Sequence, residues 1–185
     1  MADGKPSCYY PRHAEEGQLA PDPSRRGAVD DSNQVWRRLE IVEWSQWLLD
    51  SYRHCVGREL MERVDGAEAQ AQALFTAPIV VVSHGMQDDP ILNYGSQLAL
   101  TLWEMTWEQL VHMPSRLTAE PVNRTERESM LERARTQGYI DNYRGVRISS
   151  SGRRFLIEQA LVWNVVDRAG YRRGQAATFS RWTFL

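Results

Sequence analysis

Four β-branched residues in a row, Ile79-Val80-Val81-Val82, follow Pro78 and predict a buried strand. Asp88-Asp89-Pro90 breaks the chain with turn chemistry, and a second apolar run, Ile91-Leu92-Asn93-Tyr94, predicts another strand. The period then changes from strand-like to helical. Ala99, Leu102 and Trp103 recur at helical spacing, which predicts a helix over 96–104. Thr106 is placed to cap a second short helix, with Gln109 where a capping box usually has Glu, and Pro114 stops it. Asn123 is placed to cap a helix over 124–137 that Gly138 closes. Strands follow over 139–149, 155–166 and 171–184, separated by Ser150-Ser151-Gly152 and Asp167-Arg168-Ala169-Gly170, as an antiparallel meander. Strict alternation along 155–166 puts Glu158 and Asn164 on one face and Gln159 and Trp163 on the other. Alternation does not say which face looks into a pocket.

Upstream, Val35, Leu39, Val42, Leu49, Val56 and Leu60 mark one stripe of a helix over 33–63, widened by Trp36, Trp47 and Tyr52. Gly57 is its weakest point. Such a stripe must be buried, either on the sheet of its own domain or against another chain, and both options meet the same demand. Asp65-Gly66 ends this element, and an Ala/Gln helix over 67–75 leads into the first strand. Residues 1–31 hold Pro6, Pro11, Pro21 and Pro23 with almost no aliphatic side chains. They read as a disordered tail, too polar to offset the entropy of ordering. The chain therefore divides into a tail (1–31), an N-terminal helix (32–66) and a domain (67–185). Two strands, short helices, then long strands is an α+β order, not βαβ. It predicts one five-stranded antiparallel sheet with short helices on one face, plus the N-terminal helical extension.

At 185 residues and 42% hydrophobic, the chain holds enough apolar material for one domain with appendages. The net charge of −2 is interspersed, and short basic pairs such as Arg25-Arg26 and Arg153-Arg154 make no electrostatic footprint for nucleic acid. No apolar run approaches a membrane span, and no signal-peptide core opens the chain. The number and spacing of Cys8 and Cys55 predict neither a disulfide framework nor a CxxC zinc site, so a cytoplasmic setting is expected. Seven tryptophans point to an aromatic core, an apolar pocket or a buried partner face.

No P-loop, GxGxxG, HExxH or GxSxG motif is present, and no catalytic or metal-ligating set is assigned. His84 ends the first strand beside Gly85, shortly before Asp88 and Asp89. It reads either as a polar contact at a pocket mouth or as a side chain that fixes the following loop. Ser83 is no nucleophile for it, since strand neighbours point to opposite faces. Asn93, Arg116, Glu158, Gln159, Asn164 and Gln175 are polar within apolar or motif-like stretches and must find partners in protein, water or ligand. Trp103, Trp107 and Trp163 are candidates to wall a flat ligand or to fill the core. The candidate ligand-binding set is His84, Asn93, Trp103, Arg116, Glu158, Trp163 and Asn164.

The run from 78 to 182 resembles a PAS-type sensor domain, and within that class the MEKHLA domain of the stand-alone bacterial kind. Ser83-His84-Gly85, Asp89-Pro90-Ile91-Leu92-Asn93-Tyr94-Gly95, Leu102-Trp103-Glu104-Met105, Pro114-Ser115-Arg116-Leu117-Thr118-Ala119-Glu120-Pro121 and Gln175-Ala176-Ala177-Thr178-Phe179 carry the likeness. Plant class III homeodomain–leucine-zipper factors carry a similar domain; this chain has neither a homeodomain nor a zipper. The resemblance implies a non-catalytic sensory or regulatory domain that binds a small molecule between helices and sheet. It also implies signalling through a separate protein partner, with residues 33–63 as the contact of a homodimer or of that partner. Photosensing flavin domains of this class carry a reactive cysteine in the segment matching 114–121, where this chain has Ser115 and no cysteine. Haem-binding ones use a histidine on the helix matching 124–137, and none is present there. A thiol–flavin adduct and histidine-ligated haem are not expected; a non-covalent flavin or another small molecule stays open. Two further readings remain: an interaction module whose pocket is filled by its own side chains, and a small enzyme using the His84 region.

Overall fold

In the computed structural model, which describes residues 34–119 and 138–185, the valine run forms β1 (Val80–His84), an inner strand of one antiparallel sheet. It pairs on one side with β2 (Leu92–Gly95), and on the other with β5 (Arg172–Phe179). Next to β5 lies β4 (Arg154–Val166), and beyond it β3 (Tyr139–Ile148), giving the order β2-β1-β5-β4-β3. The five-stranded sheet is thus present, with one addition. The strand expected over 171–184 divides at Ser180, and its end forms β6 (Arg181–Phe184). β5 pairs with the last half of β4 (Leu161↔Thr178, Asn164↔Gln175), β6 with its first half (Leu156↔Thr183, Ile157↔Trp182). Between the halves, Gln159 stands at φ +53°. One extra residue there kinks β4, and the strand beside it bends with it. The expected tail over 1–31 and the helix over 124–137 lie outside the described residues.

The sheet buries both faces, because its valine-rich strands are apolar on both sides. On one face Val81, Tyr94, Leu161, Trp163, Val165 and Ala176 share a core with α1 (Leu39–Val56) and α2 (Ala67–Thr76). On the other, Val80, Phe155, Ile157, Ala160 and Phe179 pack with Leu102 and Trp103 of α3 (Gln97–Trp103). α3 begins at Ser96, whose Oγ accepts from the Ala99 N–H. In α4 (Trp107–Leu110), Thr106 and Gln109 complete the capping box. Thr106 Oγ1 accepts from Gln109 N at 3.2 Å and Gln109 Oε1 from Thr106 N at 2.8 Å, so Gln serves as well as Glu here.

The helix expected over 33–63 is shorter. A 3₁₀ turn (Val35–Arg37) precedes α1, and α1 ends where Gly57 takes the left-handed conformation at φ +77°. The loop beyond is stapled back by Arg63, which donates to Asp50, Glu59 and Gln70 at 2.8–2.9 Å. The buried stripe is also rotated from the expected one: Ile41, Leu48, Leu49, Tyr52 and Cys55 face inward, while Leu39 is 81% exposed. Of the two burial options, the chain takes the intramolecular one. Tyr52 meets Trp163 edge to face at 5.1 Å, and Trp163 Nε1 donates to Ser51 Oγ at 3.1 Å.

Candidate functional site

On the α3 face the sheet does not pack fully, and a cavity of about 420 Å³ remains. That lies within the ~300–1,000 Å³ range of small-molecule sites. Its floor is sheet: Val82 and His84 of β1, Leu92 of β2, Ile157 and Val162 of β4, Gln175 and Phe179 of β5. Trp103 closes one end from α3, and the 3₁₀ turn Ser115–Thr118 passes over the mouth. That strap is tied at both ends. Ser115 N donates to the Pro90 carbonyl at 2.8 Å, and Ala119 bridges to Arg147 of β3. Thr118 Oγ1 donates within the strap to the Ser115 carbonyl.

The bulge at Gln159 decides which β4 residues see the cavity. Before it the odd positions Phe155 and Ile157 face the α3 side; after it Val162 does, and Leu161 and Trp163 turn to α1. Strict alternation across 155–166 therefore does not hold. Glu158 and Asn164 lie on opposite faces, because the extra residue shifts the register by one.

Of the seven candidates, His84, Trp103 and Arg116 line the cavity. His84 Nδ1 donates to the Gly85 carbonyl at 2.8 Å, which holds the following loop. Arg116 is more than half exposed and donates through Nε to both Asp89 carboxylate oxygens at 3.0 and 3.1 Å. Trp103 is buried, edge to face with Phe155 at 5.3 Å. The other four are placed elsewhere. Asn93 Oδ1 accepts from Ser83 Oγ at 2.7 Å, and Ser83 Oγ accepts from Trp44 Nε1 of α1 at 2.9 Å, so Asn93 belongs to the contact between sheet and α1. Trp163 is fully buried under α1. Glu158 pairs with Arg144 at 3.5 Å on the far side of the sheet. Asn164 stands opposite Gln175 in register, beyond the cavity lining.

Three further polar side chains of the cavity matter to its chemistry. Gln175 reads from the sequence only as a polar residue in an apolar strand. It is 8% exposed and faces the cavity, and its side-chain amide has no hydrogen-bond partner among the described residues. Tyr143 and Arg147 also line the cavity and are not among the seven candidates. Arg147 Nη2 donates to the Tyr143 hydroxyl at 2.9 Å, its guanidinium 5.2 Å from the ring centre. Gly145 stands between them, and a Cβ there would fall 2.5 Å from the Tyr143 oxygen. The signal was present as Tyr143-x-Gly145-x-Arg147, a period-2 spacing with the gap only glycine leaves.

Three comparisons bear on this arrangement. The MEKHLA domain family matches residues 42–184. Among curated proteins, homeobox-leucine zipper protein HOX9 of Oryza sativa subsp. indica is 23% identical over 168 residues, 90% of this chain and 20% of that protein. REVOLUTA of Arabidopsis thaliana, also a homeobox-leucine zipper protein, is 22% identical over 152 residues, covering 79% and 18%. The chain thus spans about a fifth of the length of the curated relatives it matches. Among solved structures, the PAS domain of a protein from Colwellia psychrerythraea superposes with a TM-score of 0.52 at 15% identity, over 64% of this chain and 95% of that one. An RNA-binding light-oxygen-voltage receptor gives 0.53 at 16%, over 64% and 35%. At these identities the likeness is one of fold, and that fold is PAS-like. No helix among the described residues is long and apolar enough to cross a membrane.

Proposed function

This chain belongs to the MEKHLA domain family, and from that premise we propose that it is a non-catalytic sensory or regulatory domain, of the family's stand-alone bacterial kind. It holds a small molecule in the cavity between the sheet and the strap, and answers through a protein partner in the cytoplasm. The observation that carries the reading is Gln175: a buried amide that faces a cavity of ligand size and finds no side-chain partner among the described residues. His84, Trp103 and Arg116 are the ligand contacts retained from the sequence. Asn93, Glu158, Trp163 and Asn164 act through the surrounding framework.

The path to the partner runs through β1. Val82 and His84 line the cavity, and Ser83 between them is bonded to Trp44 of α1. A change at the cavity floor therefore reaches the helix without crossing a loop. A homodimer or partner contact within residues 33–63 uses the outer side of α1, where Leu39 is exposed. The rival reading, an interaction module working through that helix, is less favoured, because much of the helix's apolar stripe packs on the chain's own sheet.

The test is native mass spectrometry of freshly purified protein, with an absorption spectrum of the same sample. A mass increment that disappears on denaturation is the expected result. A clean apo mass at dimer stoichiometry, unchanged by incubation with cell extract, refutes it and favours the interaction module.

A further inference from the structure

We propose that the ligand is an apolar molecule with one anionic head, a carboxylate or a phosphate, which Arg147 receives. The inference rests on the reading of the cavity as a ligand site. Several other arginines on this fold have acidic partners: Arg116 has Asp89, Arg144 has Glu158, Arg173 has Asp167. Arg147 is half-buried and faces the cavity, yet its hydrogen bonds go to two neutral oxygens, the Tyr143 hydroxyl and the Val146 carbonyl at 3.0 Å. Among the described residues no carboxylate pairs with it. A cation withdrawn from water without a counter-charge is costly, and an anion that fills the gap gains a short, charge-assisted hydrogen bond.

The position is built rather than accidental. Gly145 leaves the space in which the Tyr143 phenol and the Arg147 guanidinium meet, and Ala119 pairs with the Arg147 backbone from the strap. The middle of the cavity is unsuited to a second charge. Ile157, Val162, Phe179 and Trp103 surround the middle, and Gln175 offers one neutral donor and one acceptor. Asp88, the acidic residue on the lining, is exposed at the β1–β2 loop. An apolar body with a hydrogen-bonding edge and one anionic end satisfies every one of these groups.

Calorimetric titration of the full chain with 3-phenylpropionate, phenyl phosphate and 3-phenylpropanamide tests this. At least one of the two anions is expected to bind more tightly than the neutral amide, by about tenfold or more, and their order separates the carboxylate from the phosphate. Arg147→Gln is expected to abolish that preference while the amide still binds and the thermal midpoint of the unliganded protein stays within a few degrees. Should Arg147→Gln not fold, the preference is read from its loss on raising salt in the unaltered protein. Equal binding of anions and amide, or a preference that survives Arg147→Gln, overturns the anionic head and leaves the ligand site standing. No binding of any of the three, together with a clean apo mass, removes the ligand site itself.

Discussion

A Cβ built on Gly174 would stand 2.1 Å from the backbone oxygen of His84 and 3.4 Å from the Trp44 ring. The nearer group is main chain and cannot swing aside. Gly174→Ala is therefore expected to cost about 1–3 kcal/mol in urea denaturation; a change under about 0.5 kcal/mol would show that β1 and β5 have room to part. Tyr94 makes the opposite case. Its hydroxyl is fully buried, and that burial pushes the phenol well above its ordinary range. The Ser45 hydroxyl is its polar neighbour, but neither forms a well-made hydrogen bond. Tyr94→Phe keeps the edge-to-face contact with Trp107 at 5.8 Å and removes the stranded oxygen, so the melting temperature is expected to hold or rise. Glu104 closes α3 in the left-handed conformation at φ +56°. Its carboxylate accepts from Ser149 Oγ at 2.6 Å and from Ser151 Oγ, tying the β3–β4 turn to the helix end. Those hydrogen bonds hold the carboxyl below its usual pKa. A depressed folded pKa stabilises above the ordinary carboxylate value, and that contribution disappears as pH falls through the folded value. Glu104→Gln should therefore shallow the acid limb of a melting-temperature profile and leave the neutral region nearly flat in pH.

Among the elements, α1 was the hardest to place from its pattern. Its apolar stripe is equally suited to a partner helix and to a sheet, and only the position of Trp163 beneath Ser51 and Tyr52 resolves the choice. Removing the chain through Val56 uncovers Leu161, Trp163 and Val165. The truncated protein is expected to aggregate or to lose its near-ultraviolet circular dichroism. A folded, monomeric truncation would make α1 a detachable arm after all. β4 shows what alternation cannot see. Glu158 to Asn164 is an even spacing and reads as one face, yet a single residue at positive φ moves Asn164 to the other. Gln159 has no local sequence signature for this, because a bulge is chosen by the fit of the neighbouring strands. Strand boundaries and the capping box at Thr106 were legible, since they depend on turn residues and periodicity close by in the chain.

For the molecule as a whole, the prediction concerns transmission from cavity to partner. Trp44→Phe removes the donor to Ser83 while keeping most of the ring. It is expected to leave ligand retention intact and to weaken the effect of ligand on exchange of the α1 amide hydrogens. If that protection by ligand is the same in both proteins, β1 does not pass the change to α1. Order along the chain, the α+β class, the burial of the valine strand and the likeness to a PAS-type domain all followed from the sequence. These are properties of local period, turn chemistry and a colinear run of motifs. Which polar residues share one cavity did not follow from it. His84, Arg116, Arg147 and Gln175 come from four separate segments. Their meeting depends on pairing register, on the bulge at Gln159 and on the strap from Ser115, all of which are long-range. Periodicity says that a side chain leaves one face of a strand. Only the packed sheet decides whether that face meets a helix or a cavity.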